Sequence, residues 1–239
     1  MSSSYRVTLR SVANFDSFQT ILVDYFLMPI ISLVMFLLIA FNSTQDYSRI
    51  LLGTIITTAI ATGIGVISAS SVYDQNIAMT DEVFSIRPSF RRYWLPKFVI
   101  AGITACVEIS VLGIIGLFAL KEIHLLGKLI LSLPLVVITL ALLGYFGSTL
   151  GIKKENPYWL TNFISASLVL LSGVIIPVAQ YPTWLKIFAT LFPISNILDW
   201  ILDKDLLNYD LLIIIGKILL WWLVCVITTK IIQKNYNRN

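Results

Sequence analysis

Residues 50–72 read ILLGTIITTAIATGIGVISASSV, and this stretch decides the fold. It carries no charged residue. Crossing a hydrocarbon core about 30 Å thick takes about 20 mostly apolar residues in a helix. The run has none of the period-two alternation of a membrane barrel strand, and in lipid only helices or closed barrels satisfy their own backbone groups. Five further blocks are long and mostly apolar, with a few charged residues, at about 20–41, 96–120, 127–150, 158–176 and 211–232. Of the 239 residues 57% are hydrophobic and 13% charged. That is about half the charge of a soluble domain, and far too apolar for a disordered chain.

The formal net charge is +4. In a soluble protein this would raise nucleic acid as a partner, but no soluble part is large enough to hold a basic face. The charge instead sets orientation, because Lys and Arg collect in cytoplasmic connections. Arg6, Arg10, Arg87, Arg91, Arg92, Lys97, Lys153, Lys154, Lys230, Lys234 and Arg238 fall on one side. Arg49, Lys121, Lys128, Lys186 and Lys204 fall on the other. Eleven against five places both termini in the cytoplasm. Cys106 and Cys225 both lie in apolar blocks, so there is no disulfide framework. Arg6 and Arg10 precede polar residues rather than an apolar run, which is not the pattern of a cleavable signal peptide.

Three regions are not ordinary loops. Residues 4–19 are polar with spaced apolar positions and read as a short interfacial helix entering the first span at an angle. In residues 73–97, Asp74-Gln75-Asn76 reads as the start of a short helix. Ile77, Thr80, Val83 and Phe84 then share one face, Pro88 ends it, and Arg87, Arg91 and Arg92 follow or flank it. Its apolar face needs a cover, either a partner or the protein's own rim. Residues 178–209 form a long external stretch. Within it 183–192 is apolar, amphipathic and bounded by Pro182 and Pro193, too short to span and therefore re-entrant or interfacial. Trp184 and Trp200 suit a water–lipid boundary.

Inside the spans Glu108 is the acid nearest a span centre. Such a group faces the bundle interior or a wet cavity; contact with a cationic substrate and a neutral structural role both remain open for it. Lys217 reads as a snorkelling lysine. Asp24 reads as a partner for an interfacial arginine, His124 as a solvated turn residue, and Gly147-x-x-x-Gly151 as a helix-packing pattern. No metal-ligand set and no catalytic set of Ser/His/Asp, Cys/His or paired carboxylates is recognisable, so catalytic and metal residues are none.

The run Ser172-Gly173-Val174-Ile175-Ile176-Pro177, then Tyr181-Pro182-Thr183-Trp184-Leu185, then Leu191-Phe192-Pro193-Ile194, resembles the permease subunit of a type-2 ABC exporter, the ABC-2 family. Thr80, Phe84, Pro88 and Lys97 match the family's coupling helix and the start of its third span, and Pro29 follows an elbow-like polar stretch. Met79 replaces a usual Gly, and Gln75 or Asp74 stands near a usual Glu. The resemblance implies an all-α integral membrane protein with one transmembrane domain over 1–239. Its parts are six transmembrane helices, an N-terminal interfacial elbow helix, a cytoplasmic coupling helix and an external re-entrant helical segment at about 183–202.

The resemblance also implies a mechanism. Two ABC ATPase subunits dock inside and carry ATP and Mg, this chain binding no cofactor. A second permease copy, or a related permease, completes the pathway. Ile77, Thr80, Val83, Phe84, Arg87 and Pro88 would receive the ATPase movement. Glu108 would face the substrate pathway, and Pro177, Pro182, Trp184 and Pro193 would shape an external gate. The expected function is export of a hydrophobic or amphiphilic cargo (a drug, an antimicrobial peptide or a lipid-like molecule) across the cell membrane. No G-x-x-x-x-G-K-[ST] phosphate loop occurs in the sequence, so an ATPase would be a separate chain. The competing reading is a six-span membrane enzyme or assembly factor that works without an ATPase.

Overall fold

The computed structural model describes residues 2–12, 15, 17–43, 46–79, 90–203 and 205–236. All regular structure among them is helical. The chain opens with α1 (Ser2–Ser11). After a break, Ser17 caps α2 (Phe18–Leu22) by accepting from the Thr20 N–H at 3.1 Å. A π-helical turn, Val23–Leu27, joins α2 to α3 (Met28–Ser43), and the Met28 N–H donates to the Val23 carbonyl five residues back. Pro29 accounts for this turn. It has no N–H for the Tyr25 carbonyl four residues earlier and its ring crowds that carbonyl, and a widened turn relieves both.

Asp46 caps α4 (Tyr47–Asn76), its Oδ1 accepting from the Ser48 N–H at 3.0 Å. Then come α5 (Phe90–Ala119), α6 (Leu126–Leu150), α7 (Trp159–Ser172), the short α8 (Thr183–Leu191) and α9 (Ile194–Leu202), and α10 (Tyr209–Tyr236). The hub is α4, which packs against α1, α3, α5, α6, α7 and α9. Its most apolar stretch is 78% buried, against 11% for the first span and 17% for the last. A helix apolar all round is stable only when surrounded, and α4 is the one the others surround.

Among the described residues five helices are long and apolar enough to cross a membrane, or six if a bent pair counts as one span. The block expected as a span over 158–176 differs: α7 has 14 residues and stops at Gly173, which takes a left-handed conformation at φ 70°. Its ends nonetheless contact opposite ends of α4, through Ser68 Oγ and Thr161 Oγ1 at 3.0 Å and through Arg49 Nε and the Gly173 carbonyl at 2.9 Å. The segment expected to re-enter is α8 and α9, bent by 87°. Nine residues rise only about 13 Å, less than half of a hydrocarbon core. The bundle thus has a hairpin end, with Arg49 and α8–α9, and an elbow end, where α1 joins α4 through Ser11 Oγ and Ser70 Oγ at 2.8 Å.

A Cβ on Gly173 would lie 2.8 Å from Val178 Cγ2 and 3.1 Å from the Val178 N, and the residue is left-handed. We expect Gly173→Ala to cost about 1–2 kcal/mol, read as a lower apparent Tm in detergent. Gly216→Ala, at a position with open space around the Cβ, should cost nothing. Equal Tm values for Gly173→Ala and the wild type would contradict the assignment.

Candidate functional site

At the hairpin end three helices stop close together, and each stop leaves carbonyls without intrahelical donors. Cations from three other helices supply them. Arg49, near the start of α4, donates from Nε to the Gly173 carbonyl and pairs through Nη1 with Asp199 of α9 at 2.8 Å. Lys128, near the start of α6, donates to the carbonyls of Trp200 at 3.2 Å, Asp205 at 3.0 Å and Asp203. Lys217 of α10 donates to the Phe192 carbonyl at 3.2 Å and to Asn196 Oδ1 at 2.5 Å. Asn196 in turn donates to Asp210 at 3.0 Å, and Trp221 Nε1 donates to the Leu191 carbonyl at 3.0 Å. A positive charge at a helix C-terminus also meets the favourable end of the helix dipole.

Lys217 therefore does not snorkel to solvent as its position in an apolar helix suggests; it closes the break between α8 and α9. Trp200 is likewise not a boundary residue: it is buried and donates from Nε1 to the Leu206 carbonyl at 3.0 Å. Trp184 is 64% exposed. Pro177 precedes the short 3-10 turn Val178–Gln180, while Pro182 and Pro193 stand immediately before α8 and α9. A missing N–H costs least at a helix start. Tyr181 folds back to donate from its hydroxyl to the Leu170 carbonyl at 2.7 Å. Burial raises its pKa, with the Arg49 charge pulling the other way.

At the elbow end Lys97 and Asp74 form an ion pair at 2.6 Å, with side chains only 2% and 5% exposed. The Lys97 ammonium lies 4.1 Å from the centre of the Tyr93 ring and 5.3 Å from that of Trp94. Asp74 is thus not the start of a new helix. Residues 74–76 belong to the last turn of α4, which ends at Ile77, and α5 begins at Phe90 rather than near Pro96. Ile77 is exposed. Thr80, Val83, Phe84, Arg87 and Pro88 lie outside the described residues. The ion pair fixes where the chain leaves α4 and where it returns through α5.

Glu108 of α5 lies between these ends. It is 1% exposed and neither carboxylate oxygen has a hydrogen-bond partner. Thr58 and Thr62 of α4 face it, but the Thr58 hydroxyl donates to the Thr54 carbonyl of its own helix at 2.9 Å. A cavity of about 310 Å³ on the side of α1 and the π-helical turn has Glu108 and Tyr25 in its wall. Sequence reasoning missed Tyr25, Asp74 as an ion-pair partner, and the capping roles of Arg49 and Lys128. Only Asp74 and Lys97 left a signal, as opposite charges at the facing ends of consecutive antiparallel spans. Among the described residues no group of three or more His, Cys, Asp and Glu is placed to hold a metal, and Asp24 forms no ion pair there. His124 is exposed beside Glu122 at 3.2 Å.

Residues 6–203 match the family described as ABC-2 type transporter. The chain belongs to the ABC-2 type transporter family. No curated protein matches it significantly. The permease is accordingly a multi-pass transport subunit, and membership implies in general an ABC ATPase as partner. The Gly173–Pro177 turn, the bent helix pair α8–α9 and the ion pair beside the connection from α4 to α5 all fall within the matched residues of the permease.

Breaking one partner of a buried ion pair strands the other charge, at about 3–5 kcal/mol. We expect Lys97→Met and Asp74→Leu each to lower the stability of the permease by that order, and the double variant to recover most of it. Thermal unfolding in detergent reads this cycle. Single variants as stable as the wild type would contradict a dry, paired site.

Proposed function

We propose that the permease is the membrane subunit of an ATP-driven exporter. It moves a hydrophobic or amphiphilic cargo out of the cytoplasm or inner leaflet. The elbow end faces the cytoplasm in this reading, supported by the excess of Lys and Arg in the connections there. Two ATPase subunits dock at that end and carry ATP and Mg. A second copy of the permease, or a related one, completes the pathway.

The observation that carries the coupling part is the buried Asp74–Lys97 pair. A segment that receives mechanical work must be anchored at both ends, and this pair anchors the connection at its root. Ile77, Thr80, Val83, Phe84, Arg87 and Pro88 are the residues we assign to the ATPase contact, on the family resemblance of their positions. The hairpin serves as the external gate: Pro177, Pro182 and Pro193 set its corners and Trp184 faces lipid. An apolar bundle with one buried, unpartnered carboxylate favours an amphiphilic cargo over a heavily hydroxylated one, which needs polar lining.

Co-purification of the permease with an ABC ATPase in mild detergent, followed by ATP turnover in lipid, tests the reading. A two-plus-two complex with vanadate-sensitive turnover is expected. Phe84→Asp is expected to leave the permease folded and to abolish cargo-stimulated turnover. Unchanged stimulation in that variant would overturn the coupling assignment, and no complex across several detergents would favour the ATPase-independent enzyme or assembly factor.

The gate has its own test. Cysteines placed singly along 183–192, in a background lacking Cys106 and Cys225, should show one face protected from an aqueous maleimide. The buried Ala189 should be among the slowest. Uniformly fast labelling would rule out a re-entrant position.

A further inference from the structure

The cavity beside Glu108 is lined by two residues whose oxygens sit just beneath its wall without a well-formed hydrogen bond in the protein, the carboxylate lying beside Thr58 and Thr62 of α4. The Glu108 carboxylate comes from α5 and the Tyr25 hydroxyl from the π-helical turn, and both residues are more than nine-tenths buried. Buried polar atoms are almost always bonded, and burying a carboxylate with both oxygens unpaired is costly. Two such groups from separate elements line one cavity. Phe15 stacks on the Tyr25 ring at 5.4 Å and holds its orientation.

Among the described residues the rest of the lining is almost wholly apolar, and none of it is basic. Ile103 and Val107 line the cavity and are 59% and 46% exposed on the outer surface of α5. The opening is therefore at the side of the bundle, where a membrane-spanning protein meets lipid. A second cavity, between α5, α6 and α10, makes the contrast: its Tyr145 and Thr229 hydroxyls are bonded to each other at 2.5 Å.

An apolar cavity with a carboxyl and a phenol just beneath its wall is complementary to one ligand chemistry. We propose that this cavity binds an amphiphilic amine, with its ammonium between the Glu108 carboxylate and the Tyr25 phenol oxygen and its apolar body against Ile103 and Val107. A cation is the partner that a carboxylate in a low-dielectric setting favours most. An ammonium also brings several donors, enough to reach both oxygen groups at once. This deepens the transport reading by naming the cargo chemistry. It rests on that reading for release across the membrane but not for binding.

The test compares 1-pyrenemethylamine with 1-pyrenemethanol, which share one apolar body and differ in ammonium against hydroxyl. Binding is measured by fluorescence on the full chain in phosphatidylcholine nanodiscs, with empty nanodiscs subtracted. The amine is expected to bind saturably and about tenfold or more tighter than the alcohol, the size of a charge-assisted contact. Glu108→Gln should bring the amine down to the alcohol's affinity and leave the alcohol unchanged. Tyr25→Phe should weaken the amine alone. Ile103→Trp fills the mouth without touching the carboxylate and should weaken both probes. Equal binding of the two probes, or amine binding unmoved by Glu108→Gln or by Ile103→Trp, would overturn the proposal. Co-purification with the ATPase is scored on the same preparation. A complex without amine preference overturns the cavity alone, while amine preference without a complex overturns the transport reading alone.

Discussion

A helix that stops in an apolar medium leaves its last carbonyls without donors, and no water is there to supply them. This permease stops three helices near one end of its bundle. It closes each stop with a cation from elsewhere in the chain: Arg49 at Gly173, Lys217 at Phe192, and Lys128 around Trp200–Asp205. The bent pair α8–α9 depends on these contacts. Its own two helices are too short to be stable alone, and the exposed face of α8 is largely apolar. What holds them is the packing of the buried face of α9 against the core, together with backbone satisfaction by side chains that the longer helices carry.

The same logic organises the rest of the bundle around α4. One end of α4 carries Arg49 and the other Asp74, about 38 Å apart at about 1.5 Å per residue. That separation slightly exceeds a hydrocarbon core, so each charged contact sits near an edge of the apolar slab. The Asp74–Lys97 pair ties the end of α4 to the beginning of α5. In the proposed transport reading, movement delivered at the elbow end acts on a rod whose other end is bonded to the hairpin. Glu108 and Tyr25 lie between the two, on elements that pack together through the π-helical turn and α5.

The spans were legible because a membrane demands length and apolarity, and both are local properties. The hairpin was legible from Pro182 and Pro193 bounding an apolar run too short to cross. The end of α7 was not, because Gly173 takes its left-handed turn against Val178 and Val174 packs on Gly53, contacts no sequence window contains. Lys217 looked like a snorkelling residue since its partners, Phe192 and Asn196, lie on another helix. Asp74 looked like a cap because Asp favours helix starts; its pairing with Lys97 outweighs that local preference. Glu108 was visible as an intramembrane acid, whereas Tyr25 was hidden among aromatic residues until Pro29 and its widened turn placed it in the same cavity. The face formed by Thr80, Val83 and Phe84 lies outside the described residues.

Hydrogen–deuterium exchange over residues 183–203, on the permease in lipid nanodiscs, tests the capping account most directly. The account predicts slow exchange there in the wild type, comparable with α4. It predicts exchange about tenfold or more faster in a Lys128→Met, Lys217→Met double variant, with α4 unchanged, because opening of the hairpin becomes a local event. Exchange in 183–203 that is equally slow in the variant, or already as fast in the wild type as in the neighbouring 205–208, would contradict it.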